Sequence, residues 1–368
     1  MSNTHISRRS VLALLAAAPV VPLLAACGGG SSGSTAAPLA SNNASSLDDL
    51  YGQLLPLAQK EGSVVWYTSA LQDAADAFKK SFEAKFPGVE VKIFRGNVSQ
   101  TLTRLSQELT AHAASADLLG LSSPGQASQF LSSGFVVPYK VYDYDSYPAT
   151  SKGDADLFEV YDKFTPYGTF VYNTNRMQRA DVPTSRAALA AVPVDQLHGK
   201  IVMNDMRTWP YVLNYVLWTT TNDDAMVTAV GKFKPVMSET SQVISDGVSS
   251  GQYYLSPIFN MQSYIALKAT GAPIDFVVPS EGIWMQPGSH FIVKGASHPN
   301  AAKLFMEYIY SQAGQAAWSA PGYAPGRPDV SLPTGVEWVK DAKVIPIDFA
   351  KAFTNQQQLI SAAKHDLG

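Results

Sequence analysis

The chain has 368 residues, 46% of them hydrophobic and 15% charged, with 27 basic side chains against 30 acidic ones. That length supports two or three domains around a sizeable core, and the charge balance lacks the positive excess of a general nucleic-acid binder. One cysteine excludes an intrachain disulfide framework or a Cys-rich zinc site, and the six histidines show no short metal-ligand spacing, so neither a metal nor a cofactor is expected.

The first segment in chain order is an address. Ser7-Arg8-Arg9-Ser10 leads into an apolar run from Val11 to Ala26, followed by Cys27. An arginine pair ahead of an apolar segment is the twin-arginine export pattern. The run is short for a bilayer span and contains Pro19 and Pro22, which argues for a cleaved signal. Leu24-Ala25-Ala26-Cys27 resembles the bacterial lipoprotein box, which implies cleavage ahead of the cysteine and its lipidation. Gly28-Gly29-Gly30-Ser31-Ser32-Gly33 then suits a flexible tether. The expected organisation is a signal over 1–26, a lipid-bearing Cys27 and a tether over 27–46, with the working part outside the cytoplasm.

From Ser46 the pattern becomes regular. Ser46-Leu47-Asp48-Asp49 is a capping-box-like helix start, and Leu47, Leu50, Tyr51, Leu54 and Ala58 make one apolar face ended by Gly62. Pro56 lies inside that stretch and predicts a kink or an early break. Val64-Val65-Trp66-Tyr67 reads as a buried strand. Leu71, Ala74, Phe78, Phe82 and Phe86 form the next helical stripe, stopped by Pro87-Gly88. Val89, Val91 and Ile93 alternate as a strand, Leu102, Leu105 and Leu109 mark a helix, and Asp117 to Leu121 is strand again. Such alternation builds a parallel sheet flanked by helices, whose ligands bind outside the carboxyl ends of the strands. A second run begins near Thr169-Phe170-Val171-Tyr172 and continues through Ile201-Val202-Met203 and the apolar segment Tyr211 to Trp218, giving two α/β lobes.

Several chemical motifs match in letters and fail in context. Gly247-Val248-Ser249-Ser250-Gly251 has the form of a nucleophile elbow, yet extended chain follows it where a helix is required. Gly29 to Gly33 matches the same string, and Gly28, Gly30 and Gly33 match a dinucleotide fingerprint, but all lie in the tether. Ser361-Ala362-Ala363-Lys364 stands without its companion motifs. The residues just past the strands are more informative. Thr68-Ser69, Arg95-Gly96-Asn97-Val98-Ser99 and Ser122-Ser123-Pro124-Gly125 each open onto a helix, where free backbone N–H groups accept anions or carbonyls. Ordinary N-capping explains each one singly; three at one sheet edge favour a polar ligand cleft.

Glu61-Gly62-Ser63-Val64-Val65-Trp66-Tyr67-Thr68-Ser69, then Phe86-Pro87-Gly88-Val89-Glu90-Val91, resembles the opening of the extracellular solute-binding proteins of ABC importers, in the ferric-iron-binding-like branch. The resemblance resumes at Tyr172-Asn173-Thr174 and at Gly199-Lys200-Ile201-Val202-Met203-Asn204-Asp205. It is strongest from Gly271-Ala272-Pro273-Ile274 through Pro279-Ser280-Glu281-Gly282 to Val293-Lys294-Gly295-Ala296-Ser297-His298-Pro299. It covers nearly the whole mature chain in order.

The family resemblance implies an α/β fold of two lobes with a cleft between them, like a type II periplasmic binding protein. The first lobe would take 47–167 and 283–318, the second 168–282, with 319–368 packing back across both. Iron-binding members resemble one another in two adjacent tyrosines past an asparagine; here Asn260-Met261-Gln262-Ser263-Tyr264 puts Gln262 and Ser263 at those places. Uncharged polar side chains there suit a small organic anion or oxyanion better than a hard trivalent ion. The expected ligand set is Thr68, Ser69, Asn97, Ser99 and Ser123 on the first lobe, with Arg207, Thr208, Asn260, Gln262 and Tyr264 on the second. Arg207 follows the Ile201-Val202-Met203 strand, where a guanidinium can grip a carboxylate or phosphate, or else pair with Asp205.

The expectation is thus a monomeric, non-catalytic lipoprotein that binds no nucleic acid. It would capture a small anionic solute by lobe closure and pass it to an inner-membrane ABC permease. A ferric-iron-binding protein, an exported hydrolase and a ligand-sensing lipoprotein are the rival readings.

Overall fold

The structure is a computed structural model that describes residues 39–40, 44–113, 115–222 and 224–368. The expected export signal, Cys27 and most of the expected tether lie outside the described residues.

The first helix, Leu47–Glu61, starts as its sequence directs. Ser46 Oγ accepts the N–H of Asp49 at 3.1 Å, while the Asp49 carboxylate reaches back to the N–H of Ser45 rather than of Ser46. Pro56 neither breaks nor ends the helix, which runs on to Gly62 in the left-handed region at φ 76°. Burial of Leu50, Tyr51, Leu54 and Ala58 outweighs the single backbone bond that the proline removes. Helices Gln72–Lys85 and Val98–Thr110 then connect the parallel strands Ser63–Thr68, Glu90–Arg95 and Leu118–Leu121, with Ser63–Thr68 between the other two.

Two long strands carry this sheet into the rest of the molecule. Trp284–Val293 pairs antiparallel with Leu118–Leu121 through residues 289–292, and with Lys163–Asn173 through residues 284–288. Lys163–Asn173 in turn pairs antiparallel with Leu255–Asn260 and Ile274–Val277. The second run is therefore not a repeat of the first. It joins the same curled sheet, and a small parallel pair, Val202–Asn204 with Val236–Ser238, attaches through a bridge between Ile201 and Leu255.

The strand expected over 169–172 extends back to Lys163. Its early part reads poorly because it opens on a charge and contains Pro166 and Gly168. Lys163 is nevertheless buried, 3.4 Å from the Asp162 carboxylate and over the Trp318 ring at 4.8 Å. Pro166 pairs with Met285 and Pro287 with Phe164, each where its own strand has a partner on one side alone.

Two of the apolar clusters hold most of the buried aromatic rings. One packs Trp66, Phe78, Phe82, Phe305 and Trp318; the other packs Phe170, Met203, Leu217, Trp218 and Trp284. Helix Gln356–Leu367 lies on the second group, where Ala363 and Leu367 are buried. Among the described residues no helix is long and apolar enough to cross a membrane.

Candidate functional site

A cavity of about 400 Å³ opens where the carboxyl ends of the parallel strands meet the two crossing strands. Its walls are the starts of helices. The N-cap residues Leu71, Asn97, Thr240 and Asn260 all line it, so four helix N-termini converge on one space. Each presents backbone N–H groups that lack an intrahelical acceptor, together with the positive end of its dipole.

Two of these ends are capped from within. Asn97 closes a full capping box: its Oδ1 accepts the N–H of Gln100 at 2.8 Å, and Gln100 Oε1 accepts the N–H of Asn97 at 3.0 Å. Asn260 Oδ1 likewise accepts the N–H of Ser263 at 2.8 Å. Leu71 and Thr240 give no side-chain cap, so their first turns keep free donors.

The charge in the cavity is sparse. Among the described lining residues the charged ones are Arg95 and Glu239, both exposed. Arg95 donates through Nε to the carbonyl of Ala70 at 3.1 Å, which leaves the rest of its fork uncommitted. The floor is neutral and polar. Gln262 and Gln286 are 3% and 7% exposed, and Gln262 donates to the carbonyl of Gly322 at 2.9 Å. Three phenols, Tyr167, Tyr211 and Tyr323, complete it. Burial pushes all three above the usual tyrosine range, so they stand as neutral hydroxyls at physiological pH.

Of the residues expected from sequence, the structure brings Ser69, Asn97, Ser99, Asn260 and Gln262 together around this cavity. The other five lie off it. Thr68 is buried behind Ser69, its Oγ1 accepting the N–H of Ala70. Ser123 accepts the indole N–H of Trp209 at 3.2 Å. Arg207 is held bidentately by Asp205, Nε to Oδ1 at 2.8 Å and Nη2 to Oδ2 at 3.0 Å. Burial would raise the Asp205 carboxyl, but the Arg207 hydrogen bonds outweigh it and hold the group low, so the pair stays ionised. Thr208 donates to the Asp205 carbonyl in the same turn. Tyr264 turns away, its hydroxyl on Asp275 at 3.3 Å and its ring against Phe276.

Sequence reasoning passed over Arg95, the three phenols and Gln286. Arg95 ends a strand within a cluster already singled out, and its charge was a readable signal. The tyrosines come from segments distant in sequence, and nothing local marks them as neighbours. The Gly-Val-Ser-Ser-Gly string falls at the end of helix Ser241–Ser249 with a strand after it, the reverse of a nucleophile elbow.

Comparison with known proteins agrees with this architecture. The substrate-binding protein of an ABC transporter from Agrobacterium tumefaciens superposes with a TM-score of 0.72 at 17% identity, over 84% of this chain and 96% of that one. AfuA from Actinobacillus pleuropneumoniae, solved with fructose-6-phosphate, gives 0.69 at 20% identity over 83% and 98%. Iron-bound HitA from Pseudomonas aeruginosa gives 0.68 at 15% identity over 83% and 99%. A Haemophilus influenzae protein described as uncharacterized is 25% identical over 280 residues, 71% of this chain and 77% of its own. The family model of the bacterial extracellular solute-binding proteins matches residues 77–346, most of the chain, and the protein belongs to that family.

Proposed function

We propose that this chain is the extracytoplasmic solute-binding component of an ABC importer whose solute is a small organic anion or oxyanion. One observation carries the anionic class: four helix N-termini and Arg95 face a single cavity whose other lining charge is Glu239, both charged side chains being exposed. Free N–H groups, aligned dipoles and a guanidinium all favour negative charge. The neutral amides and hydroxyls of the floor orient the remainder of the solute. A cavity of about 400 Å³ suits a metabolite-sized molecule. AfuA, solved with fructose-6-phosphate, is one relative of that chemistry.

A second reading has its own support. The phenols of Tyr167, Tyr211 and Tyr323 share the cavity, and phenolate oxygen is a hard donor suited to ferric iron; HitA was solved with iron bound. Against it, Gln262 and Ser263 occupy the places of the tyrosine pair of iron-binding members, and the phenols sit in surroundings that oppose ionisation.

Residues 47–167 and 283–318 would form one lobe and 168–282 the other, closing on the solute without catalysis. Cys27 would carry the lipid anchor after twin-arginine export, and an inner-membrane permease would receive the solute from a monomer. A thermal-shift screen over phosphonates, sugar phosphates, carboxylates, polyamines and Fe³⁺ separates the readings. An anionic hit supports the first. A stoichiometric ferric complex with a visible charge-transfer band replaces it with the second.

A further inference from the structure

Beside the cavity, pieces far apart in the chain meet around one indole. Trp209 lines the cavity and donates its N–H to Ser123 Oγ at 3.2 Å. Ser123 follows the strand Leu118–Leu121, on the opposite side of the cleft. The Trp209 ring also meets Phe353, edge to face, at 5.1 Å and 69°. Phe353 belongs to the short helix Phe349–Thr354.

The chain before that helix is fastened to the start of a crossing strand. Ile283 N–H donates to the carbonyl of Lys343, and Ile345 N–H to the carbonyl of Ile283. Phe349 packs on Trp284 at 6.0 Å. The helix then presses on the loop that contains Ser123. A Cβ at Gly125 would stand 2.3 Å from the Phe349 carbonyl oxygen, and Gly125 itself has φ 81°. Glycine at 125 therefore meets two demands at once, a left-handed backbone and a close approach of main chain to main chain. Residues 343–354 thus form a strap from the crossing strand to the first-lobe loop, with Trp209 clasped between Ser123 and Phe353.

We infer that Ser123 and Phe353 are positioning residues for solute capture. They hold the Trp209 indole, and through it they set the arrangement of the lobes in which the cavity exists. Neither lines the cavity; both act on a residue that does. The conformers of a two-lobed protein differ by little free energy, so losing one hydrogen bond or one ring contact moves their populations several-fold. The inference rests on the two-lobed fold, not on the identity of the solute.

The test uses the apo protein, so it stands or falls apart from the anionic reading. Nitroxide labels at Asp76→Cys and Asp195→Cys, in a Cys27→Ser background, report the interlobe distance by pulsed electron paramagnetic resonance; both labelled positions are exposed. Ser123→Ala and Phe353→Ala are each expected to shift and broaden the distance distribution, with a several-fold loss of the parental population. Ser123→Thr keeps the acceptor hydroxyl and is expected to restore it. If Phe353→Ala does not fold, the Ser123 pair decides alone. A parental distribution in Ser123→Ala, or a lowered melting temperature with distances unchanged, overturns the inference and leaves these residues a merely structural role.

Discussion

Glu307 shows how a single buried group can set a pH response away from the cavity. Its side chain is 2% exposed and accepts the Tyr139 hydroxyl at 2.6 Å and the Tyr142 N–H at 2.9 Å. Burial pushes its carboxyl up to about 7, against hydrogen bonds that pull it down. A folded-state value above the unfolded one means that the protonated acid is the form the fold prefers. Its contribution is complete below the unfolded value and is lost as pH rises through about 7. Unfolding titrations should therefore show stability falling between pH 5 and 8, by up to about 3 kcal/mol from this group. Glu307→Gln keeps an acceptor and removes the ionisation, so that fall should flatten; an unchanged pH profile in the variant would refute the assignment. None of this was legible in the sequence, where Glu307 sits in a helical stripe like any surface acid. Arg207 teaches the same lesson in reverse: the sequence offered a ligand contact or a pairing with Asp205, and only the fold shows the pairing.

At the scale of elements, legibility tracked periodicity. The helices Leu47–Glu61, Gln72–Lys85 and Val98–Thr110 follow their apolar spacing closely, because the first two bury one face in one cluster and the third buries Leu105 in another. Of the crossing strands only the stretch 169–172 showed, since they are buried on nearly every residue and interrupted by proline and glycine. Gly168 is one of those interruptions and has a reason to be there. It sits at φ 96°, and a Cβ would lie 2.9 Å from Leu217 Cδ2 and 3.2 Å from Arg186 Nη2, whose guanidinium donates to the carbonyls of Gly168 and Gly282. Gly52, inside the first helix, has nothing within 4 Å of such a Cβ and ordinary helical backbone. Opposite signs follow. Gly168→Ala should cost about 1–3 kcal/mol through strain and crowding, and Gly52→Ala should gain up to ~1 kcal/mol. Denaturant midpoints measure both, and a Gly168→Ala variant as stable as the parent would show that the crossing strand tolerates a side chain there.

For the whole molecule, the family was legible because weak motifs occurred in the right order along most of the chain, and order survives where single residues drift. The site was half legible for a related reason: strand-end clusters announce a cleft, but the distant tyrosines and Gln286 that help to floor it meet only on folding. The electrostatics are local in the same sense. The protein carries a formal net charge of −3, so an anion approaches a molecule of like sign and must be drawn in by the cavity alone. On the proposed reading four helix ends would supply part of that attraction and the Arg95 guanidinium the rest. Arg207 supplies none, being neutralised by Asp205. Isothermal titration with the anion that gives the largest thermal shift should therefore separate the two arginines. Arg95→Ala should weaken binding by roughly tenfold to a hundredfold, the loss of a charge-assisted hydrogen bond worth about 1.5–3 kcal/mol. Arg207→Ala should bind as the parent does. Raising ionic strength should weaken the parent more than Arg95→Ala, because screening acts on the charge that the variant no longer has. If instead Arg207→Ala loses the affinity and Arg95→Ala keeps it, the anion is gripped at Arg207 and this cavity is not where it sits.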